Sequence, residues 1–346
     1  MTRHFRSLNR RQMLAGTAMT AAALGMGGTL LGISRPAHAA TTVNMQLGWL
    51  ASNGVIGEVV ASKLGYYAES GIELEITPGG PSVDGVASVA AGRAMVGQLS
   101  SSPSLMLARS AGIPIKCIAA GYQKHPFTYF SREQAPIRSA QDMVGKTIAT
   151  NKTAYILLRA LLAKNGIAED QVTIVPMGSD MNQLMTGQAQ AVTGWLTNTN
   201  ALKVIGDDRV DLMLWDTGIQ LYANPYYVTD QTLDTEFDTV VNFLKGSARG
   251  WEYAYNNPEK AVDMLVEAYP RMEKASEMEA IQGVLGFSFT DKTKAKGWGT
   301  METDNWAEQI EIYAKLDQFK GEVPKVEDVM TLAVLEATAD VRPKIG

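Results

Sequence analysis

The order of strands and helices near the start of the chain constrains its fold more than any other feature of the sequence. Residues 43–49 alternate apolar and polar side chains as a strand does, residues 57–64 have helical spacing that ends at Gly65, and residues 72–76 alternate again. A strand, a helix and a second strand in this order form the repeating unit of a parallel sheet. The pattern therefore predicts the α/β class.

The same alternation continues through two blocks and then gives way to helices. The first block adds a helix capped by Ser82, a helix that opens at Ser102-Pro103, and strands over 95–99, 115–122 and 127–131. The second block begins near residue 132 and has strands over 146–150, 172–176, 191–196 and 211–215, with helices after Thr153 and over 181–186. Helical patterns follow over 237–256, 258–268, 276–285, 305–319 and 326–337. The sequence predicts two α/β lobes and a helical C-terminal tail.

Counting reactive side chains excludes several kinds of site. Histidine occurs only at positions 4, 38 and 125, and Cys117 is the single cysteine, so neither an intrachain disulfide nor a zinc cluster of His and Cys ligands is expected. The nucleophile-elbow, phosphate-loop and zinc-protease motifs do not occur. We expect no metal, no cofactor and no enzymatic activity, and we predict that Cys117 is buried in the strand over 115–119.

Residues 1–39 have the features of an export signal. They contain five arginines and no acidic residue, an apolar run over 13–33, and the cleavage pattern Ala37-His38-Ala39. The pair Arg10-Arg11 resembles a twin-arginine signal, with the general secretion route as the alternative. A membrane anchor is a weaker interpretation because glycines interrupt the apolar run. We predict cleavage near Ala39 and a periplasmic location.

The charge left after removal of residues 1–39 bears on the choice of partners. The full chain has 31 basic and 36 acidic side chains. Loss of the five arginines leaves a net charge of −10. A surface with this excess of acids argues against nucleic acid and against anionic membranes as partners.

The candidate binding residues lie where the predicted strands end, because ligands of open α/β sheets lie beyond the carboxyl ends of the strands. The side chains at these positions are aromatic rings mixed with uncharged hydrogen-bonding groups, which suit the stacking of a flat heterocycle and recognition of its edge. They are Trp49, Asn53, Ser100, Ser101, Tyr122, Gln123, Asn151, Thr153, Trp195, Thr197, Asn198, Tyr222 and Asn224.

Structural roles are the alternative for each candidate. A tryptophan at a strand end also fills a core, and Asn151 with Thr153 also caps a helix. His125 is expected to be a loop residue rather than a base, and Lys124 and Lys152 would be the partners of an anionic ligand. The acidic segment over 273–279 is interpreted as a solvated helix face.

Several segments together resemble the NMT1/THI5-like substrate-binding proteins of ABC importers. They are Gly48-Trp49 with Asn53, 65–74, Pro78-Gly79-Gly80-Pro81, 91–94, 122–126, 145–148, 194–198 and 218–222. The resemblance implies a periplasmic-binding-protein fold of type II, with two lobes and two hinge crossovers. It divides the chain into lobe I over 40–131 and 225–346 and lobe II over 132–224.

The resemblance also implies a function. A protein of this family captures a small molecule between its lobes and delivers it to an ABC permease with its ATPase, as a monomer that meets the membrane only through the permease. The aromatic and amide candidates favour a small, flat, mostly neutral heterocycle that resembles a thiamine pyrimidine precursor or a flavin such as riboflavin. The chain departs from the common Asp-Trp pattern of the family at Gly48-Trp49, so it predicts a site without an acidic hydrogen-bond acceptor.

Three alternatives stay open at this point. The same fold occurs in proteins that bind sulfonate or nitrate anions. The fungal relatives of the family are enzymes that synthesise a pyrimidine, but the export signal and the lone Cys117 argue against that activity here. A ligand-sensing subunit of a membrane receptor would have the same sequence features as an importer component.

Overall fold

The computed structural model describes residues 40–80 and 83–346. The predicted export signal over 1–39 and the predicted helix cap at Ser82 lie outside the described residues. In the part that is described, no helix is both long enough and apolar enough to cross a membrane.

In the described part of the chain, nine of the ten strands fall close to the positions that the alternation predicts, while the tenth, over Ala223–Thr229, lies in a segment where no strand was predicted. In chain order they are β1 (Thr41–Leu47), β2 (Ile72–Thr77), β3 (Val96–Gln98), β4 (Ile115–Tyr122), β5 (Phe127–Arg132), β6 (Thr147–Thr150), β7 (Thr173–Pro176), β8 (Ala191–Trp195), β9 (Arg209–Met213) and β10 (Ala223–Thr229).

Helices connect and cover these strands. They are α1 (Ile56–Lys63), α2 (Tyr66–Glu69), α3 (Gly85–Ala90), α4 (Ser102–Ser110), α5 (Tyr155–Lys164), α6 (Asn182–Met185), α7 (Thr199–Leu202), α8 (Asp230–Thr235), α9 (Phe237–Asn256), α10 (Pro258–Ala268), α11 (Lys274–Ser288), α12 (Asp291–Lys296), α13 (Thr303–Lys315), α14 (Val326–Val329) and α15 (Ala333–Glu336). Short 3-10 helices occur at Asn53–Val55, Ala140–Met143, Glu169–Gln171, Lys203–Ile205 and Leu214–Thr217.

The strands form two mixed five-stranded sheets. The first has the order β2-β1-β3-β10-β4 and the second has the order β7-β6-β8-β5-β9. In each sheet the parallel βαβ strands are joined by one antiparallel strand from elsewhere in the chain, β10 in the first sheet and β5 in the second. The chain crosses between the sheets after β4 and again before β10. This confirms the predicted α/β class and the two-lobe fold with two crossovers.

Strand β5 differs from the sequence-based boundary of the lobes. The predicted lobe I ran to residue 131, whereas β5 pairs with β8 and β9 and so belongs to the second sheet. Both partners come about sixty or more residues later in the chain, and a pairing of that separation leaves no trace in the local alternation. The first crossover therefore lies between Tyr122 and Phe127.

The C-terminal tail packs on the first sheet through closely apposed helices. At the contact between α1 and α9, a Cβ added to Gly250 would lie 1.9 Å from the carbonyl oxygen of Gly57. Next to this contact the buried rings of Trp251 and Trp298 stack with their centroids 5.8 Å apart. Cys117 is fully buried as predicted, and burial raises the pKa of its thiol far above the usual range.

The end of the tail departs from the predicted helix over 326–337. Two short helices, α14 and α15, occupy this range, and Met330 between them forms a parallel β-bridge with Cys117. The N–H of Thr331 also donates to the carbonyl of Cys117 at 3.0 Å. Backbone pairing with the edge strand β4 thus replaces the hydrogen bonds that would continue the helix. The periodicity of the segment alone does not reveal this pairing.

A buried carboxyl group lies in the core of the first lobe. Glu58 on α1 is fully buried, and its Oε1 accepts a hydrogen bond from the hydroxyl of Tyr226 at 2.7 Å and a longer one from Nε1 of Trp251 at 3.4 Å. Desolvation raises the pKa of Glu58 from 4.5 to about 7, and these hydrogen bonds oppose the rise without cancelling it. The folded protein therefore holds this proton more tightly than the unfolded chain.

We expect this carboxyl group to make stability depend on pH. Its contribution is complete below pH 4.5 and is lost as the pH rises through about 7. The shift corresponds to a loss of roughly 3 kcal/mol in the free energy of unfolding between these limits. Urea unfolding at several pH values checks this, with Glu58→Gln as the comparison because it cannot titrate. If the free energy of unfolding changed equally with pH in the two proteins, the pH dependence would not come from Glu58.

Candidate functional site

A cavity of about 380 Å³ lies between the two sheets. Its walls come from the segments that follow β1 and β3 in the first lobe, from those that follow β6, β7 and β8 in the second lobe, and from α11 of the tail. Ten of the sequence candidates line it, namely Trp49, Asn53, Ser100, Ser101, Asn151, Thr153, Trp195, Thr197, Asn198 and Asn224. The carboxyl ends of the parallel strands are therefore the place where these side chains meet, as the fold class predicts.

Trp49 sits on a loop that backbone contacts hold in place. The N–H of Gly48 donates to the carbonyl of Gln98 at 2.7 Å, and the N–H of Gly79 donates to the carbonyl of Trp49 at 2.9 Å. The approach at Gly79 is so close that an added Cβ would lie 2.2 Å from the carbonyl oxygen of Leu47. The half-buried indole of Trp49 is thus presented to the cavity from a fixed backbone.

Trp195 presents a second indole from the end of β8. Its half-buried ring is supported at the back by His125, with the ring centroids 5.5 Å apart and nearly perpendicular, and by Tyr122 at 5.9 Å. The edge-to-face contact with His125 and the tilted contact with Tyr122 fix the orientation of the indole. The indole of Trp195 is therefore pre-oriented before any ligand arrives.

Some of the neutral polar side chains are partly occupied by local structure. Oδ1 of Asn151 accepts from the N–H of Ala154 at 3.0 Å and from Oγ1 of Thr153 at 2.7 Å, so it caps the segment leading into α5. Asn224 has a φ of +49° and its Nδ2 donates to the carbonyl of Gly54 at 3.3 Å. Ser101 precedes α4, and its Oγ lies 3.2 Å from Oγ of Ser104, although its side chain forms no capping hydrogen bond. These side chains therefore line the cavity while they also take part in local hydrogen bonds.

Asn53 connects the two lobes and the tail at one end of the cavity. Its Nδ2 donates to the carbonyl of Thr197 in the second lobe at 3.0 Å and to Oε2 of Glu277 on α11 at 2.9 Å. Both partners only accept hydrogen bonds, which fixes the orientation of the Asn53 amide. We refer to Asn53, Thr197 and Glu277 as the clasp.

Glu277 is a site residue that sequence analysis missed. The acidic segment over 273–279 was predicted to be a solvated helix face, and the site was predicted to lack an acidic acceptor. Both predictions are wrong for Glu277, because α11 turns this half-buried side chain toward the cavity. Desolvation raises the pKa of its carboxyl group, and the hydrogen bond from Asn53 lowers it in part.

His125 also lines the cavity although it was not among the predicted site residues. It is buried, its Nδ1 accepts from the N–H of Phe127 at 3.2 Å, and its Nε2 has no hydrogen-bond partner in residues 40–80 and 83–346. Desolvation lowers the pKa of the imidazole to about 3, and the nearby backbone of Ser100 raises it in part. The ring is neutral at ordinary pH and supplies no positive charge.

Three predicted site residues lie elsewhere. Tyr122 is fully buried among Trp195, Trp251 and Phe287. Gln123 is buried and its Nε2 donates to the carbonyl of Thr300 at 2.9 Å. The hydroxyl of Tyr222 accepts from the backbone of Glu302 at 3.0 Å, within the core. These side chains point away from the cavity because each completes packing between the first sheet and the tail.

The cavity wall contains no lysine or arginine among the residues that the structure describes. Lys124 and Lys152, the predicted partners of an anionic ligand, are exposed and do not line it. Glu277 is the one charged side chain in the described part of the wall. In the same part of the chain there is no group of three or more His, Cys, Asp or Glu side chains arranged to hold a metal ion.

Comparison with known families agrees with this arrangement. The family described as NMT1/THI5 like matches residues 52–261, which include the second α/β block and the first from the residues after β1 onward. The chain belongs to the NMT1/THI5-like family. The matched range carries most of the cavity wall, from Ser52 to Asn224, while Trp49 lies before it and Glu277 lies beyond it.

Two proteins similar to this chain are named as binding proteins. The riboflavin-binding protein RibY of Chloroflexus aurantiacus is 26% identical over 263 residues, which cover 73% of this chain and 74% of that protein. The formylaminopyrimidine-binding protein of Halalkalibacterium halodurans is 25% identical over 286 residues, with coverages of 79% and 84%. A third relative, from Legionella pneumophila, is named 4-amino-5-hydroxymethyl-2-methylpyrimidine phosphate synthase and is 23% identical over 243 residues, with coverages of 66% and 74%.

Solved structures confirm the fold of this family member. The alkanesulfonate-binding protein SsuA from Xanthomonas axonopodis pv. citri, bound to MOPS, superimposes with a TM-score of 0.64 at 14% identity over 85% of this chain and 99% of its own. The periplasmic aliphatic sulphonate binding protein SsuA from Escherichia coli gives the same TM-score, identity and coverages. At this identity the likeness establishes the periplasmic-binding-protein architecture.

Proposed function

We propose that this protein is an extracytoplasmic solute-binding protein of an ABC importer that captures one small, flat, mostly neutral heterocycle between its lobes. The observation that carries the proposal is the composition of the cavity wall. Two indoles and many amide and hydroxyl groups line it, with no lysine or arginine in its described part. Aromatic faces stack on flat rings, and neutral polar groups recognise their edges.

The location of the cavity supports a capture mechanism. A ligand in it touches Trp49 on one lobe and Trp195 on the other, so it binds the closed arrangement better than an open one. Such a difference in affinity shifts the population toward the closed state. The closed protein then presents a joint surface of both lobes that a permease with its ATPase recognises.

The wall also argues for a heterocycle over a sulfonate or nitrate. An anion removed from water requires cationic or strongly donating partners, and its transfer without them is costly. Here the described wall offers a carboxylate at Glu277 instead, which repels an anion. The names of the relatives, which mention riboflavin and formylaminopyrimidine, are consistent with this choice. Sulfonate binding remains the second candidate because solved sulfonate-binding proteins share the fold.

Transport is favoured over catalysis and over a cytoplasmic role. The two relatives described first are named as binding proteins, and the predicted export signal over 1–39 with cleavage near Ala39 would place the protein in the periplasm. Among the residues that the structure describes, the neutral His125 has no carboxylate partner that would make it a base. The monomeric state and the twin-arginine route stay predictions.

A thermal-shift screen of the protein lacking residues 1–39 tests the proposal. The panel contains aminopyrimidines, flavins and other neutral heterocycles, with alkanesulfonates and nitrate as the competing class. A ligand that binds the native state stabilises it by about 2.7 kcal/mol at a hundredfold excess over Kd. We expect the melting temperature to rise by several degrees with a neutral heterocycle. A rise with sulfonates or nitrate alone would reject the proposal in favour of the second candidate.

A further inference from the structure

We propose that Glu277 selects the ligand by accepting a hydrogen bond from an N–H group on the heterocycle, such as an exocyclic amino group. This inference rests on the proposed function and narrows its substrate class to amino-bearing or imino-bearing rings. It assigns to the C-terminal tail a direct part in recognition, although the tail lies outside the range that the family model matches. Three features of Glu277 and its surroundings carry the inference.

The first feature is the free oxygen of the Glu277 carboxylate. Oε2 accepts from Asn53 at 2.9 Å, while Oε1 takes part in no hydrogen bond within the described residues. No lysine or arginine in that part of the chain forms an ion pair with Glu277. The neighbouring Glu273 and Glu279 differ, because both lie within 4 Å of Nζ of Lys203, at 3.8 and 3.9 Å. Because Glu277 lines the cavity, its carboxylate brings an acceptor there that no residue of the described structure pairs with.

The second feature is the complete use of the Asn53 amide hydrogens. One N–H donates to Thr197 and the other to Glu277, so Asn53 has no N–H left to offer a ligand. Sequence analysis predicted Asn53 as a residue that hydrogen-bonds the ligand. Its amide nitrogen positions the Glu277 carboxylate by holding Oε2, which leaves Oε1 as the contact group, while Oδ1 of Asn53 stays available to accept a hydrogen bond from the ligand.

The third feature is the anchorage of α11 to the second lobe. Oγ1 of Thr199 donates to the carbonyl of Ser276 at 2.7 Å, and Nζ of Lys203 donates to Oγ of Ser276 at 2.6 Å. Glu277 follows directly in the chain, so its carboxylate is fixed relative to both lobes before the ligand arrives. Pre-organised acceptors of this kind discriminate strongly, because a ligand without the N–H leaves a partly desolvated charge unpaired.

A pair of ligands that differ in one group tests the inference. The probes are 4-amino-2-methylpyrimidine and 2,4-dimethylpyrimidine, in which a methyl group replaces the amino group at nearly equal size. Calorimetric titration measures the Kd of both on the wild-type protein, on Glu277→Gln and on Glu279→Gln. The last variant is the matched control, since Glu279 lies on the same helix, is exposed and does not line the cavity.

We expect the wild-type protein to prefer the amino compound by roughly 10- to 100-fold, the range for a hydrogen bond to a charged group. In Glu277→Gln the amide oxygen pairs with Asn53 and the amide N–H group faces the ligand, so the preference should vanish or reverse. Glu279→Gln should keep it. A preference that survives in Glu277→Gln, with an unchanged melting temperature, overturns the inference alone. If no neutral heterocycle of any kind binds the wild-type protein, the proposed function fails and the inference fails with it.

Discussion

Replacement of Trp195 by alanine is expected to weaken binding of the heterocycle by roughly 10- to 100-fold, the usual effect of removing an aromatic stacking partner. The indole lines the cavity and is already oriented by His125 and Tyr122, so its loss removes a platform that needs no ordering on binding. The half-buried ring also packs on the core, which adds a modest loss of stability. Calorimetric titration of the folded variant measures the change in Kd.

A second tryptophan provides the control for this experiment. Trp215 is half-buried like Trp195 but lies in the 3-10 helix Leu214–Thr217, away from the cavity. Trp215→Ala should lower the free energy of unfolding about as much as Trp195→Ala does. It should leave Kd within about twofold, because substitutions far from a site act independently of the contacts in that site. If Trp195→Ala binds the heterocycle as tightly as Trp215→Ala does, stacking on Trp195 is not part of recognition.

Substitution of Gly250 by alanine is expected to destabilise the protein by about 3 kcal/mol, which is at the upper end of the usual cost of overpacking. The new Cβ would lie 1.9 Å from the carbonyl oxygen of Gly57, so α9 and α1 would have to separate. Backbone atoms cannot rotate out of the way as a side chain does. The separation would also disturb the buried Trp251 next to the contact. Urea unfolding followed by circular dichroism measures the change.

The same substitution at Gly286 should have the opposite sign. Gly286 lies in α11, is exposed, and has open space where a Cβ would be placed. Alanine is a better helix former than glycine, so Gly286→Ala should stabilise the protein by about 0.5 to 1 kcal/mol. If Gly250→Ala and Gly286→Ala lowered the free energy of unfolding by similar amounts, the α1–α9 contact would not be the cause of the effect at Gly250.

Local pattern was sufficient for most of the secondary structure. A helix was predicted after Thr153, and the apolar residues at helical spacing in it, Ile156, Leu157, Leu161 and Leu162, are all buried on α5. The long helices α9 and α10 begin and end where the apolar period and the Pro258 signal place them. These elements are predictable because a helix period and its end signals lie within a few residues of each other.

Pairings across long distances in the chain were not predictable in the same way. Strand β5 has an ordinary apolar pattern that fits either sheet, and its membership follows only from its hydrogen bonds with β8 and β9. The break between α14 and α15 depends on the bridge from Met330 to Cys117. In both cases the decisive partner is distant in sequence, and periodicity does not contain that information.

The candidate site likewise has residues that local sequence predicts and residues that only long-range packing places there. The fold class placed Trp49 and Trp195 at strand ends, and both line the cavity. Tyr122 sits at an equally suitable strand end, but the helices of the tail cover it. The segment around Glu277 has the composition of a solvated helix face. Glu277 faces the cavity only because α11 packs against both lobes. Residues brought in by the tail were thus the least predictable part of the site.

The most direct test of the account is a crystal structure of the protein with the heterocycle that stabilises it most in the thermal-shift screen. We predict one molecule in the cavity between the sheets, with its ring against the indole of Trp195 and an N–H within hydrogen-bonding distance of Oε1 of Glu277. A ligand bound outside this cavity, or an anionic group held by Lys124 or Lys152, would contradict the central claim that the protein closes on a neutral ring.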